Sequence, residues 1–155
     1  MPCGLQYNLM IEPTKQSRRK RHTRYKYNPK AISNMVDCLS IEEFYGKYPE
    51  CYNRLRFQVF RSKGYHCHYC DLIGTFVIVW VDGEDHCRVH TDLFAFNDSN
   101  RLVMMTIDHI VPKSKGGGKT VKNLITACQV CNNAKGDTDY ETFLQKIGRS
   151  KQITE

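Results

Sequence analysis

The chain has 155 residues, 41% of them hydrophobic and 25% charged, which fits one folded domain with a modest core and excludes a chain disordered throughout. Its longest clean apolar run, from Phe76 to Val81, is far too short to cross a bilayer, so no membrane partner is expected. Basic residues outnumber acidic ones by 23 to 16, a net charge of +7 that points to a polyanionic partner.

The opening residues, Met1-Pro2-Cys3-Gly4, carry no basic segment followed by an apolar block, so a reducing, cytoplasmic location is expected. Residues 15–30 then hold Lys15, Arg18, Arg19, Lys20, Arg21, Arg24, Lys26 and Lys30 with no acid among them. Taking those eight from the 23 basic residues leaves 15 against 16 acidic ones, so nearly all the excess charge lies in this one segment. It lacks apolar periodicity and reads as a flexible arm over residues 1–30, with Lys15, Arg18, Arg19, Lys20, Arg21, Arg24 and Lys26 as nucleic-acid contacts. Tyr25 and Tyr27, interleaved with the charges, could stack on bases.

Residues 31–64 read as a helical extension. Ser40-Ile41-Glu42-Glu43 is a capping box that opens a helix ending before Pro49. A second helix carries Tyr52, Leu55, Val59 and Phe60 at helical spacing, leaves Arg54 and Arg61 in solvent, and stops at Gly64. Phe76 to Val81 is β-branched and aromatic and reads as a buried strand. Asp82-Gly83 is a turn, with a second strand from His86 to Phe96. Asn97 to Asn100 is another turn. Arg101 to Ile107 should be a strand delivering Asp108 and His109 at its end. Gly118-Lys119-Thr120 is not a P-loop, because that motif needs glycine where Lys113 stands. Leu124 to Thr126 is a short strand, a helix begins near Cys128–Cys131, and Thr138-Asp139-Tyr140-Glu141 is a second capping box for a closing helix to about Ile147.

Four of the eight cysteines form two Cys-x-x-Cys pairs, Cys67 with Cys70 and Cys128 with Cys131. In a reducing compartment this spacing favours a tetrahedral four-sulfur zinc site over cystine. Two separate redox pairs would share the spacing. The pairs are 57 residues apart, so the ion would clamp two ends of a unit whose middle does something else. With no open coordination position it would fold the chain rather than catalyse. Cys3, Cys38, Cys51 and Cys87 read as free thiols. His86-Cys87-x-x-His90 lacks a fourth ligand, and His66, His68, His86 and His90 are read as surface or strand residues.

Chemistry gathers between the cysteine pairs. The Asp108 carboxylate is a hard oxygen ligand suited to Mg²⁺ or Mn²⁺. The neighbouring His109 imidazole suits deprotonation of an attacking water. Asn132 directly follows the last cysteine of the staple, which would hold its amide oxygen as a second, neutral ligand.

Asp-His-Ile-Val-Pro-x-Ser-x-Gly-Gly from Asp108, then Asn123-Leu124, then Cys-x-x-Cys-Asn-x-x-Lys-Gly from Cys128 to Gly136 resembles the HNH endonucleases with a four-cysteine zinc site. The resemblance covers Tyr65 to Asp137, about half the chain. It implies an α+β protein with a ββα-metal (His-Me finger) core in residues 65–150, flanked by the N-terminal helices and basic arm. It implies DNA phosphodiester hydrolysis, by nicking or double-strand cutting, to 5′-phosphate and 3′-hydroxyl ends. His109 would be the general base, Asp108 and Asn132 the ligands of one catalytic Mg²⁺ or Mn²⁺, Asn123 the brace that orients His109, and Lys135 a further nucleic-acid contact. Asn132 stands where many members have histidine. The family's small free-standing members are often encoded by phages or mobile elements, which would make the location a host cytoplasm. RNA stays open as a substrate, and double-strand cutting would take a dimer or two visits. Two other readings compete: a zinc-stabilised nucleic-acid-binding module that does not cut, and a phage packaging accessory nuclease that needs a partner.

Overall fold

β-Branched and aromatic residues cluster in four of the five segments that pair as strands, and the pairing follows chain order. In the computed structural model, which describes residues 35–82 and 88–149, β1 (Met35–Ser40), β2 (Phe76–Asp82), β3 (Arg88–Phe96), β4 (Leu102–His109) and β5 (Leu124–Cys128) form one antiparallel sheet, β1-β2-β3-β4-β5. The basic arm of residues 15–30, Cys3, His86 and Cys87 lie outside the described residues. Four α-helices are described: α1 (Ile41–Lys47), α2 (Leu55–Lys63), α3 (Gln129–Lys135) and α4 (Tyr140–Lys146). None is long and apolar enough to cross a membrane. The architecture is α+β.

β4 changes partner along its length. Its first three residues pair with β3, from Met104↔Phe94 to Leu102↔Phe96. Its last five pair with β5, from Met105↔Cys128 to His109↔Leu124. The far half of β4, β5 and the helix that follows without a break therefore form a ββα unit at one end of the sheet. Val77 and Val79 turn one face of β2 inward, and Phe44, Phe57 and Phe60 from the two N-terminal helices pack with them in the core. The Phe44 and Phe57 ring centroids are 4.9 Å apart, and Phe57 meets Phe60 edge-on at 5.8 Å.

The first capping box forms in full. Ser40 N–H donates to Glu43 Oε2 at 2.8 Å and Glu43 N–H donates to Ser40 Oγ at 3.2 Å. α2 ends at Gly64, whose φ of 86° admits glycine without strain. Arg61 is exposed and lies over the Tyr52 ring at 4.1 Å, and Arg54 donates to Thr91 Oγ1 at 3.2 Å.

Two local expectations are corrected. The segment read as helical from residue 31 contains a strand instead, because Asp37 to Ser40 pair with Val79 to Phe76 across the sheet. That pairing also joins residues on both sides of the expected boundary at residues 64 and 65. The second capping box does not form. Asp139, not Thr138, caps α4, and it makes no side-chain cap bond because its carboxylate pairs with Lys115 at 2.6 Å. Thr138 N–H instead donates to Lys135 O at 3.1 Å, closing the turn after α3.

Candidate functional site

Two sulfur knuckles meet at the base of the ββα unit. In each, an amide just past the first cysteine points back at that sulfur: Tyr69 N–H to Cys67 Sγ and Cys131 N–H to Cys128 Sγ, both at 3.4 Å. Asp71 closes the first knuckle at a φ of 61°, its amide donating to Cys67 O at 2.9 Å. His68 holds that knuckle against β5, since its amide donates to Thr126 O at 3.0 Å. The His66 and His68 rings stack at 4.9 Å rather than joining the sulfurs. Thr126 Oγ donates in turn to Gly64 O at 2.6 Å, tying the end of α2 to the same strand.

The sulfurs of Cys67, Cys70, Cys128 and Cys131 all lie within 4.8 Å of one another. Cys70 Sγ and Cys128 Sγ are 3.8 Å apart. A tetrahedron with metal–sulfur bonds of about 2.3 Å has edges of about 3.8 Å, so the spacing fits zinc. A hydrogen bond from Cys128 brings the Cys67 thiol down to about 5, while the same contact pushes Cys128 up and burial pushes Cys131 up to about 12. Four sulfurs this close share one negative charge easily and four only with a dication among them. The cluster is compatible with a zinc site and has no place for substrate.

Above the staple, β4 ends on Asp108 and His109. Asp108 is buried and receives donors on both oxygens. Tyr69 Oη donates to Oδ2 at 2.6 Å, and the His109 amide donates to Oδ1 at 2.7 Å. The Lys135 ammonium sits 3.3 Å from Oδ1 and 3.1 Å from Oδ2, and also donates to His109 O at 2.9 Å. Burial and then the bond to Asp108 push the Tyr69 phenol far above its usual range, so it remains a donor. His109 is only partly buried. Burial, helped by Lys135, Lys119 and Lys113 and opposed by Asp108, holds its imidazole below the ordinary histidine value. At neutral pH the ring is therefore mostly uncharged and able to accept a proton.

Asn132, in the first turn of α3, donates its Nδ2 to Ile107 O at 3.3 Å. This brings its side chain to the strand residue before Asp108 and leaves Oδ1 for another partner. Asn123 bonds the loop backbone. Its Oδ1 accepts from Val111 N–H at 2.9 Å, and its Nδ2 donates to Val111 O at 3.1 Å and Gly118 O at 2.9 Å. Its own carbonyl accepts from Ile110 N–H at 2.9 Å, one residue past His109. Gly117 completes this brace, because a Cβ there would fall 1.7 Å from Val111 O.

The structure thus gathers Asp108, His109, Asn132 and the four cysteines at one end of the sheet, with Asn123 in the loop beside them. Lys135, expected to contact nucleic acid, has a fully buried side chain whose charge faces Asp108. Tyr69 was not anticipated, although its place inside the first Cys-x-x-Cys was a usable signal. Lys113 and Lys119 were also overlooked; both act on His109 electrostatically and both are exposed.

Residues 94–138 match the family model described as HNH endonuclease. The match takes in Asp108, His109, Asn123 and the whole Cys128 to Lys135 segment, and begins after the first cysteine pair. Together with the ββα unit and the four-sulfur cluster, it makes this part of the chain similar to an HNH endonuclease domain. No curated protein and no solved structure matches the chain.

The loop brace yields a direct test. Gly117→Ala should cost about 1–3 kcal/mol through overpacking against Val111 and Asn123. Urea unfolding measures it, and a midpoint equal to wild type would mean the loop is not held as described.

Proposed function

We propose that the protein is a metal-dependent endonuclease that hydrolyses phosphodiester bonds in DNA, leaving 5′-phosphate and 3′-hydroxyl ends. The observation that carries this reading is the placement of His109, with its lowered proton affinity, beside a buried carboxylate and under α3, within the segment that matches the HNH family.

Each residue has a role that follows from its surroundings. The His109 imidazole accepts the proton of the attacking water. Asn123 fixes the loop so that the chain leaves β4 at Ile110 in one direction, which orients His109. Lys113 and Lys119, exposed and close enough to act on His109, would supply positive potential for a phosphate at this site. Asp108 and Asn132 offer two hard oxygens that would hold Mg²⁺ or Mn²⁺, and the ammonium now seated against Asp108 marks a place where positive charge is stabilised. Such an ion, when bound, supplies charge stabilisation at the scissile phosphate and the departing 3′ oxygen. A zinc ion on the four cysteines would keep α3, and with it Asn132, in register with β4.

Within this reading residues 65–150 are the nuclease unit, residues 1–30 are a nucleic-acid arm, and the protein works in a cytoplasm. DNA is the substrate proposed. A non-catalytic nucleic-acid-binding module is the second reading. It is favoured by one observation: every acceptor position of Asp108 is taken by a protein donor.

Plasmid cleavage separates the two. With Mg²⁺ or Mn²⁺, wild type should convert supercoiled DNA to nicked or linear forms. His109→Ala should stay folded and bind DNA but cut at least about 100-fold more slowly. Equal rates in the two proteins would remove the base assignment, and no cutting by wild type would favour the binding module.

The arm gives a separate test. Deleting residues 15–30 should weaken DNA binding and flatten its dependence on salt, because each phosphate contact contributes about −0.9 to the slope of log K against log salt. An unchanged slope would take the arm out of the interface.

A further inference from the structure

Asp108 is a ligand candidate whose acceptor positions are already full. A carboxylate offers about four lone-pair sites. On Oδ2 they face Tyr69 Oη at 2.6 Å and Lys135 Nζ at 3.1 Å. On Oδ1 they face the His109 amide at 2.7 Å and Lys135 Nζ at 3.3 Å. Any divalent ion bound through this carboxylate must therefore displace one of three donors, and the three are held very differently.

The His109 amide belongs to the paired backbone of β4, opposite Leu124, and cannot turn away without breaking the ladder. Tyr69 is fixed at both ends. Its backbone lies in the knuckle between Cys67 and Cys70, and its ring is 1% exposed, packed edge-on against Phe143 at 5.0 Å and against Tyr140 at 5.8 Å. Lys135 is different. It sits in the last turn of α3, before the exposed Gly136, on a flexible four-carbon stem. It is also the only one of the three that carries a full positive charge, so it alone is repelled by an incoming cation.

Building on the endonuclease reading, we infer that Lys135 is a tethered cation that occupies Asp108 in the ion-free protein and is displaced by the divalent ion. Tyr69 is a positioning residue that keeps the carboxylate aimed in both states. The two residues touch the same carboxylate yet should act on ion affinity with opposite signs. Removing the Lys135 charge removes a competitor. Removing the Tyr69 hydroxyl lets the carboxylate rotate away from the shared site. A residue that only supported the fold would weaken ion binding in either case.

The test uses full-length, zinc-loaded protein without DNA. Mn²⁺ binding is measured by the loss of the free-ion paramagnetic resonance signal, with zinc content and circular dichroism as controls for folding. Lys135→Met should bind Mn²⁺ about tenfold more tightly and Tyr69→Phe about tenfold more weakly, the scale of one hydrogen bond to a charged group. Wild type supplies a second measurement should Lys135→Met fail to fold. Amine acetylation of Lys135, read by mass spectrometry, should be slow without divalent ion and several-fold faster with saturating Mg²⁺. Variants that shift affinity in the same direction, or a Lys135 that stays protected while the ion binds, would overturn the inference and leave the endonuclease reading standing. A wild-type protein that neither binds Mn²⁺ nor cuts DNA would overturn both.

Discussion

Four sulfurs from two distant stretches of chain meet within 4.8 Å, and the geometry of everything above them follows from that meeting. The 57 residues between the pairs contain most of the sheet, so the staple closes a long loop and fixes where β5 hands over to α3. Cys128 is at once the last residue of β5, the cap of α3 and a member of the cluster. Asn132 and Lys135 take their positions from that start. On the other side of the cluster, the first knuckle delivers the Tyr69 hydroxyl to Asp108. A structural site and the carboxylate of a candidate catalytic site are thus joined by one side chain.

Electrostatics then sorts the lysines by what surrounds them. Lys113 and Lys119 are exposed, and their charge adds to burial in lowering the proton affinity of His109. Lys135 is buried and paired with Asp108, so the two charges satisfy each other inside the protein instead of meeting solvent. Breaking such a pair is costly unless another cation takes over.

How much of this was legible in the chain depended on how local each cause was. The Ser40 cap could be read because both of its bonds lie within four residues. The cysteine cluster was legible because ligand spacing is written in the sequence, even though the pairs are far apart. β1 was not, because its strand state depends on β2, whose residues lie about 40 positions later. The start of α4 was also set from afar: Asp139, not Thr138, takes the cap position, and Lys115, 24 residues away, holds its carboxylate. Asn123 was legible only through family resemblance, since nothing local predicts that an asparagine will span Val111 and Gly118. Lys135 reads as a nucleic-acid contact near a helix end, and its burial becomes apparent only once β4 and α3 are packed together.

The most direct measurement of the central claim is X-ray absorption at the zinc edge on the purified protein, with metal content determined on the same sample. One zinc per chain, with four sulfur neighbours at about 2.3 Å and no nitrogen or oxygen in the first shell, is the result the staple requires. A chain without zinc, or an ion with fewer than four sulfurs around it, would contradict it.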